Sequence, residues 1–244
     1  MSKRIFFTPH LGLGDHFTCN GIVRELSKEC SILVMPVKEH NLTVVKRMFS
    51  DLDNVYLLPI VGSLDYGDEA HMEDVVSLVT LYEKRGYESR GVGVFGENFD
   101  TSSKTYDEVF YDQVQIPFEC RWESFHYPRD LRRELELFRK FHNGELAEGK
   151  YIFLQDDPTR GRHINRDFIN KEFPTVSPDK KFWDGDILDY AYLLENAKEI
   201  HCVNSAFADM MDGLDLSRVE RLVVHEYARP GDPVQYKNNF EIIK

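Results

Sequence analysis

The chain has 244 residues, 42% of them hydrophobic and 30% charged, and a formal net charge of -12. This composition is typical of a globular protein with one large or two small domains, and the negative charge argues against non-specific binding to nucleic acid or to an anionic membrane. The apolar run after Met1–Arg4 is too short for a signal peptide, and no run is long enough to span a membrane. Four scattered cysteines favour reduced thiols, so we expect a cytoplasmic protein without integral membrane association.

The first half of the sequence alternates apolar runs of strand length with helical segments. Strands are predicted at Ile5–Thr8, Ile32–Val37, Val55–Ile60 and Gly91–Phe95, and helices at His16–Lys28, Asn41–Phe49 and Glu69–Lys84. Strands that are separated by helices pair in parallel through crossover connections. This half therefore predicts a doubly wound parallel sheet.

The middle of the chain is aromatic and acidic over Tyr106–Phe118, and Pro128–Phe141 predicts a charged helix that ends at Asn143-Gly144. A second alternating block follows, with strands at Lys150–Leu154, Ile200–Val203 and Arg221–His225 and helices at Ile187–Asn196 and Ser205–Gly213. The whole pattern predicts an α/β fold of two Rossmann-like parallel-sheet halves, residues 1–145 and 146–244, with a cleft between them. A single fused sheet is the alternative.

Two glycines and an acidic residue stand where the first strand meets the first helix, in Gly12-Leu13-Gly14-Asp15. Parallel sheets bind substrates at the carboxyl ends of their strands, and this turn lacks the third glycine of a dinucleotide-binding motif. Asp15 is therefore a candidate base for an acceptor hydroxyl, and capping of the helix is its structural alternative. The candidate acceptor-side residues at this edge are His10, Gly12, Gly14, Lys38 and His40. A solvated surface histidine is the alternative for His40.

The second half contains two candidate anion-binding segments. Arg160 and Arg162 follow a predicted strand and could grip a diphosphate, or they pair with Asp156 and Asp157 in a surface loop. The two carboxylates are also a weaker candidate for a divalent metal site. After the next strand, backbone N–H groups and a hydroxyl at a helix start predict a phosphate site, with helix capping as the alternative for the serine. The residues of this second segment are Asn204, Ser205, Ala206 and Phe207.

With these motifs, the chain resembles GT-B-fold glycosyltransferases, and most closely the ADP-heptose (lipopolysaccharide heptosyltransferase) type. In that family, the Asp of a Leu-Gly-Asp turn after the opening strand deprotonates the acceptor, and Leu13-Gly14-Asp15 matches this turn. A polar turn before a helix start holds the donor diphosphate near the family's C-terminus, and His201–Phe207 is similar to it. Asn204-Ser205 also resembles the corresponding turn of fucosyltransferase-like GT-B proteins.

The resemblance implies a glycosyltransferase that moves a sugar from a nucleotide-diphosphate donor to a glycan or lipid-linked sugar acceptor. It implies inversion at the anomeric carbon, with Asp15 as general base. Arginine and helix N–H groups would neutralise the diphosphate, so neither a metal nor a cofactor is expected. Two alternatives stay open: a sugar-nucleotide epimerase or hydrolase of the same fold, and a non-catalytic module that binds a nucleotide or a glycan.

Overall fold

The computed structural model describes residues 2–61, 69–142, 147–179, 183–229 and 234–244. The chain divides into two compact units. Unit 1 comprises Met1–Pro128 with Pro233–Gln235, and unit 2 comprises Arg129–Asp232 with Tyr236–Lys244. Within the described residues, none of the helices has the length and the apolar character needed to cross a membrane.

Unit 1 is built on a parallel sheet. Its strands are β1 (Arg4–Thr8), β2 (Ile32–Lys38), β3 (Val55–Ile60) and β4 (Glu88–Gly91), and its helices are α1 (Leu13–Thr18), α2 (Asn20–Glu29), α3 (Leu42–Met48), α4 (Glu69–Lys84), α5 (Tyr106–Gln113) and α6 (Cys120–Glu123). The strand order is β3-β2-β1-β4. The two central strands, β1 and β2, are apolar and buried along almost their whole length, as expected of a parallel sheet with helices on its faces.

Two predictions for unit 1 are wrong in detail. The helix predicted over His16–Lys28 begins earlier, at Leu13, and is interrupted at Cys19 between α1 and α2. The strand predicted at Gly91–Phe95 lies earlier, as β4, and Gly93–Phe95 form a 3-10 turn. Gly93 has φ of +61°, a left-handed conformation that ends extended pairing and that glycine adopts without steric cost.

Unit 2 contains a second parallel sheet. Its strands are β5 (Ile152–Gln155), β6 (Thr175–Val176), β7 (Glu199–Cys202), β8 (Arg221–His225) and β9 (Glu241–Ile243), and its α-helices are α7 (Leu131–His142), α8 (Ala191–Glu195) and α9 (Ala206–Met211). The strand order is β6-β5-β7-β8-β9. The prediction of an α/β fold with two Rossmann-like parallel sheets is confirmed, and the strands of the described residues do not fuse into a single sheet.

The boundary between the units lies before α7, which the sequence assigned to the first half. This helix packs against α8 and against the 3-10 helix Ile187–Tyr190 that precedes it. The guanidinium of Arg133, on α7, also donates from Nη2 to Oδ2 of the buried Asp189 carboxylate, at 2.8 Å. These contacts place α7 in unit 2. The predicted helix end at Asn143-Gly144 and the predicted boundary after residue 145 lie outside the described residues.

Candidate active site

Asp15 lies inside α1, as the third residue of the helix. Its Oδ2 accepts a hydrogen bond from the N–H of Gly12 at 2.9 Å. Gly12 is the residue that precedes the helix, so this bond is the return half of a capping box. Asp15 therefore stabilises the start of α1 from within the helix, and the capping alternative from the sequence describes part of its role.

Two side chains from other parts of unit 1 complete a hydrogen-bonded group around Asp15. The hydroxyl of Tyr106, the first residue of α5, donates to Asp15 Oδ1 at 3.0 Å. Nδ1 of His10 lies 3.2 Å from Asp15 Oδ2 and 2.6 Å from the Tyr106 oxygen. We call Asp15, His10 and Tyr106 the Asp15 cluster. It lies just beyond the carboxyl end of the central strand β1, where the sequence placed a reactive site.

The imidazole of His10 is held among aromatic rings. Its ring centroid lies 5.9 Å from that of Phe110, 6.4 Å from that of Phe95 and 5.7 Å from that of Tyr106. A Cβ on Gly93 would stand 2.8 Å from Cδ2 of His10, so the glycine leaves the room in which the ring sits. The ring position is thus fixed from several sides.

The other candidate residues of this edge have different surroundings. Lys38 is the last residue of β2, and His40 is exposed in the short 3-10 turn that follows. Among the described residues, the hydrogen-bond partners of the Asp15 carboxylate are Gly12, His10 and Tyr106, and neither of these two side chains is one of them. His16 points into the interior, where neither ring nitrogen has a partner among the described residues. Burial lowers the pKa of His16 to about 4, although the nearby negative charge of Asp15 acts to raise it.

In unit 2, the arginine loop follows β5. Arg160 pairs with Asp157 at 2.9 Å, as the surface-loop alternative predicted. Arg162 is exposed, and its side chain has no ion pair among the described residues. Asp156 pairs with Arg166, not with either predicted arginine.

Asp156 organises this loop through both carboxylate oxygens. Arg166 donates to both of them, at 3.2 and 2.5 Å, and the N–H of Ile164 donates to Oδ1 at 2.9 Å. Burial alone would raise the pKa of Asp156, but the Arg166 guanidinium and this N–H outweigh burial and lower it. In the described part of the chain, no group of three or more histidines, cysteines and carboxylates is arranged to hold a metal ion.

The second anion-binding candidate lies beside the arginine loop, because β5 and β7 are neighbours in the sheet. Ser205 precedes α9, and its hydroxyl donates to Oε1 of Gln155 at the end of β5, at 2.8 Å. Phe207 packs between the rings of Phe153 and Tyr190. Asn204, Ser205 and Ala206 are partly exposed at the same edge of the sheet. The structure thus brings together the two predicted donor segments of unit 2.

Sequence reasoning missed Tyr106, Gln155 and Arg166. Tyr106 stands 91 residues from Asp15, and no local pattern links the two positions. The one available signal was the aromatic and acidic segment that begins at Tyr106, which a strand–helix alternation does not explain.

Solved structures of glycosyltransferases share the fold of the chain. A glycosyl transferase family 9 structure from Veillonella parvula superimposes with a TM-score of 0.57 at 9% identity, over 99% of this chain and 86% of that one. The E. coli ADP-heptose LPS heptosyltransferase II gives a TM-score of 0.50 at 10% identity, over 91% and 84%. No protein-family model and no curated protein matches the sequence. At these identities, the likeness establishes the GT-B type of fold.

Proposed function

We propose that the protein is a glycosyltransferase that moves a sugar from a nucleoside-diphosphate donor to a hydroxyl group of a glycan or another acceptor. The observation that carries the proposal is the Asp15 cluster, a hydrogen-bonded set of proton-accepting groups beyond a central parallel strand. Sheets of this class bind substrates at that edge. The fold is shared with glycosyltransferases, but a fold hosts many functions, so the chemistry of the site has to decide.

A direct displacement uses these groups in one step. The acceptor hydroxyl gives its proton to the Asp15 cluster, and its oxygen forms a bond to the anomeric carbon of the donor. The bond from that carbon to the diphosphate oxygen breaks, and its electron pair leaves with the nucleoside diphosphate. A single displacement inverts the anomeric configuration. A positioned base contributes about 10²–10⁴-fold to the rate of such a step.

Unit 2 supplies the groups that we propose for the donor. The guanidinium of Arg162 is exposed, and the N–H groups of Ala206 and Phe207 stand at the first turn of α9, where a helix has no internal acceptors for them. Arg160 is tied to Asp157 by an exposed ion pair, which is worth little and which a diphosphate can displace. These positive groups would stabilise the leaving diphosphate, and we expect turnover to continue in EDTA.

Turnover measurements test this proposal. The protein is incubated with ADP-, UDP-, GDP- and dTDP-sugars and a panel of sugar acceptors, and the products are identified by mass. ADP-sugars come first, because one similar structure is an ADP-heptose transferase. Asp15→Asn should lower turnover by about 100-fold or more with unchanged nucleotide binding, since asparagine can still accept from Gly12. Full turnover of this variant would refute a role for Asp15 in proton transfer.

Two further outcomes separate the alternative functions. Conversion of the donor at full rate without any acceptor would favour an epimerase or a hydrolase. Nucleoside-diphosphate binding without turnover on any acceptor would favour a binding module. Binding is measured as a rise in melting temperature. Arg162→Ala should reduce that rise, whereas Arg139→Ala, on the exposed side of α7, should not.

A further inference from the structure

We infer that the acceptor proton passes to Nε2 of His10, and that Asp15 and Tyr106 are positioning residues for this imidazole. The inference rests on the proposed function and names the atom that takes the proton. It differs from the expectation for Asp15 that the Leu-Gly-Asp turn suggested. Three observations carry it: the contacts that the protein already makes to the Asp15 carboxylate, the donor–acceptor pattern of the cluster, and the second nitrogen of His10, which has no partner among the described residues.

Groups of the protein already occupy most of the acceptor positions of the Asp15 carboxylate. Oδ2 accepts from the N–H of Gly12 at 2.9 Å and lies 3.2 Å from Nδ1 of His10, and Oδ1 accepts from the Tyr106 hydroxyl at 3.0 Å. An ionised carboxylate offers about four acceptor positions, and three are taken by groups of the protein. The Asp15 side chain is 11% exposed, whereas that of His10 is 22% exposed. A hydroxyl of a bound acceptor therefore reaches His10 more readily.

The donor–acceptor pattern fixes where His10 carries its hydrogen. If Nδ1 carried no hydrogen, the Tyr106 hydroxyl would have to donate to it. The Tyr106 oxygen would then lie 3.0 Å from Asp15 Oδ1, and Nδ1 would lie 3.2 Å from Asp15 Oδ2, with no hydrogen between the two acceptors of either pair. If Nδ1 carries the hydrogen, it donates to the Tyr106 oxygen at 2.6 Å or to Asp15, and Tyr106 donates to Asp15. When the Nδ1 hydrogen is shared between these two acceptors, every short contact has a donor. A neutral His10 is therefore the Nδ1–H tautomer.

This tautomer leaves Nε2 of His10 as a proton acceptor. Nε2 has no hydrogen-bond partner among the residues that the structure describes. The neighbouring Cδ2 lies over Gly93, and the rings of Phe95 and Phe110 flank the imidazole. The surroundings thus hold the ring in place while one nitrogen stays uncommitted. A fixed, uncommitted acceptor is what a general base requires.

The proposed proton transfer balances in charge and atoms. The acceptor O–H bond breaks, its proton binds Nε2 of His10, and the oxygen bonds to the anomeric carbon as the diphosphate leaves with the bonding electrons. The imidazolium that forms donates from Nδ1 toward the carboxylate of Asp15, which stabilises the positive charge in the way a buried aspartate does for a catalytic histidine. The imidazolium then returns its proton to solvent. Tyr106 anchors Asp15 and Nδ1 from α5.

Kinetics of single variants distinguish His10 from Asp15 as the base. His10→Gln should lower kcat by about 10²–10⁴-fold with little change in the KM for the donor. His10→Ala should regain activity when free imidazole is added, whereas Asp15→Ala should not. Tyr106→Phe should lower kcat by less than His10→Gln does. His126→Gln, at an exposed histidine of unit 1, is the control and should keep wild-type turnover.

A measurement without turnover tests the tautomer separately. In protein with ¹⁵N-labelled histidine, NMR should show His10 protonated at Nδ1, with the signal assigned by its loss in His10→Gln. Asp15→Asn or Tyr106→Phe should shift His10 toward the Nε2–H form that free histidine prefers. Because no substrate is present, this result stands even if no donor or acceptor is found.

Two results would overturn the inference. One is an Nε2–H tautomer of His10 in the wild-type protein. The other is near-normal turnover of His10→Gln together with loss of turnover in Asp15→Asn, rescued by added formate in Asp15→Ala. The second result would leave the glycosyltransferase proposal standing with Asp15 as the base, whereas absence of transfer in the wild-type protein would refute that proposal alone.

Discussion

The buried imidazole of His16 should make unit 1 sensitive to acid. The side chain is 1% exposed, its nitrogens have no partner among the described residues, and burial lowers its pKa from 6.5 to about 4. In the unfolded chain His16 binds a proton below pH 6.5, but in the folded unit it does so only below about pH 4. The unfolded state therefore binds more protons between these values, and the free energy of unfolding falls as the pH is lowered through this window.

The size of the effect follows from the shift. One pKa unit corresponds to about 1.4 kcal/mol. The titration of His16 should therefore lower the free energy of unfolding of unit 1 by about 2 kcal/mol at pH 5 and by about 3 kcal/mol below pH 4. His16→Leu removes the titrating group and should abolish this part of the acid sensitivity. At pH 7 the variant should be at least as stable as the wild type, because an apolar side chain replaces two unpartnered nitrogens.

Urea unfolding at several pH values between 7 and 4.5 measures this difference. The chain has two tryptophans, Trp122 in unit 1 and Trp183 in unit 2, so a Trp183→Phe background makes fluorescence report on unit 1. His126→Gln, at an exposed histidine, should follow the wild type. Equal pH slopes for His16→Leu and the wild type would refute the assignment of His16 as a buried neutral group.

Three other perturbations have expected outcomes. Arg121→Met leaves the fully buried Asp107 without its guanidinium partner and should lower the unfolding free energy by about 3–5 kcal/mol; a loss below about 1 kcal/mol would contradict this. Gly21→Ala places a Cβ 2.1 Å from the carbonyl oxygen of Cys120, and thermal unfolding should show a loss of about 1–3 kcal/mol; unchanged stability would contradict a rigid contact between α2 and α6. His225→Leu should reduce the acid sensitivity of unit 2, since burial and the neighbouring His201 lower the pKa of His225 to about 4; Trp183 fluorescence against pH checks this, and a pH dependence equal to that of the wild type would contradict it.

Much of the fold and the place of the site follow from the sequence alone. The runs at β1, β2 and β5 are mostly apolar and are buried along almost their whole length, so their hydrophobicity directly indicates parallel strands covered by helices. Because the strands of each sheet are parallel, their carboxyl ends all lie at the same edge of that sheet. Asp15 and Ser205 could therefore be placed at substrate-binding edges before any coordinates.

The tertiary structure decided the partners of those residues. Tyr106, on α5, donates to Asp15, and the Ser205 hydroxyl donates to Gln155. Asp156 accepts from Arg166 and not from the arginines that the sequence suggested. Such contacts depend on how helices and loops pack against the sheets, which leaves no periodic trace in the chain. The strands β6 and β9 were missed for a related reason, since two and three residues are too few to show a period. Sequence thus determines which edge carries the candidate site residues, and packing across long chain separations determines which atoms contact one another there.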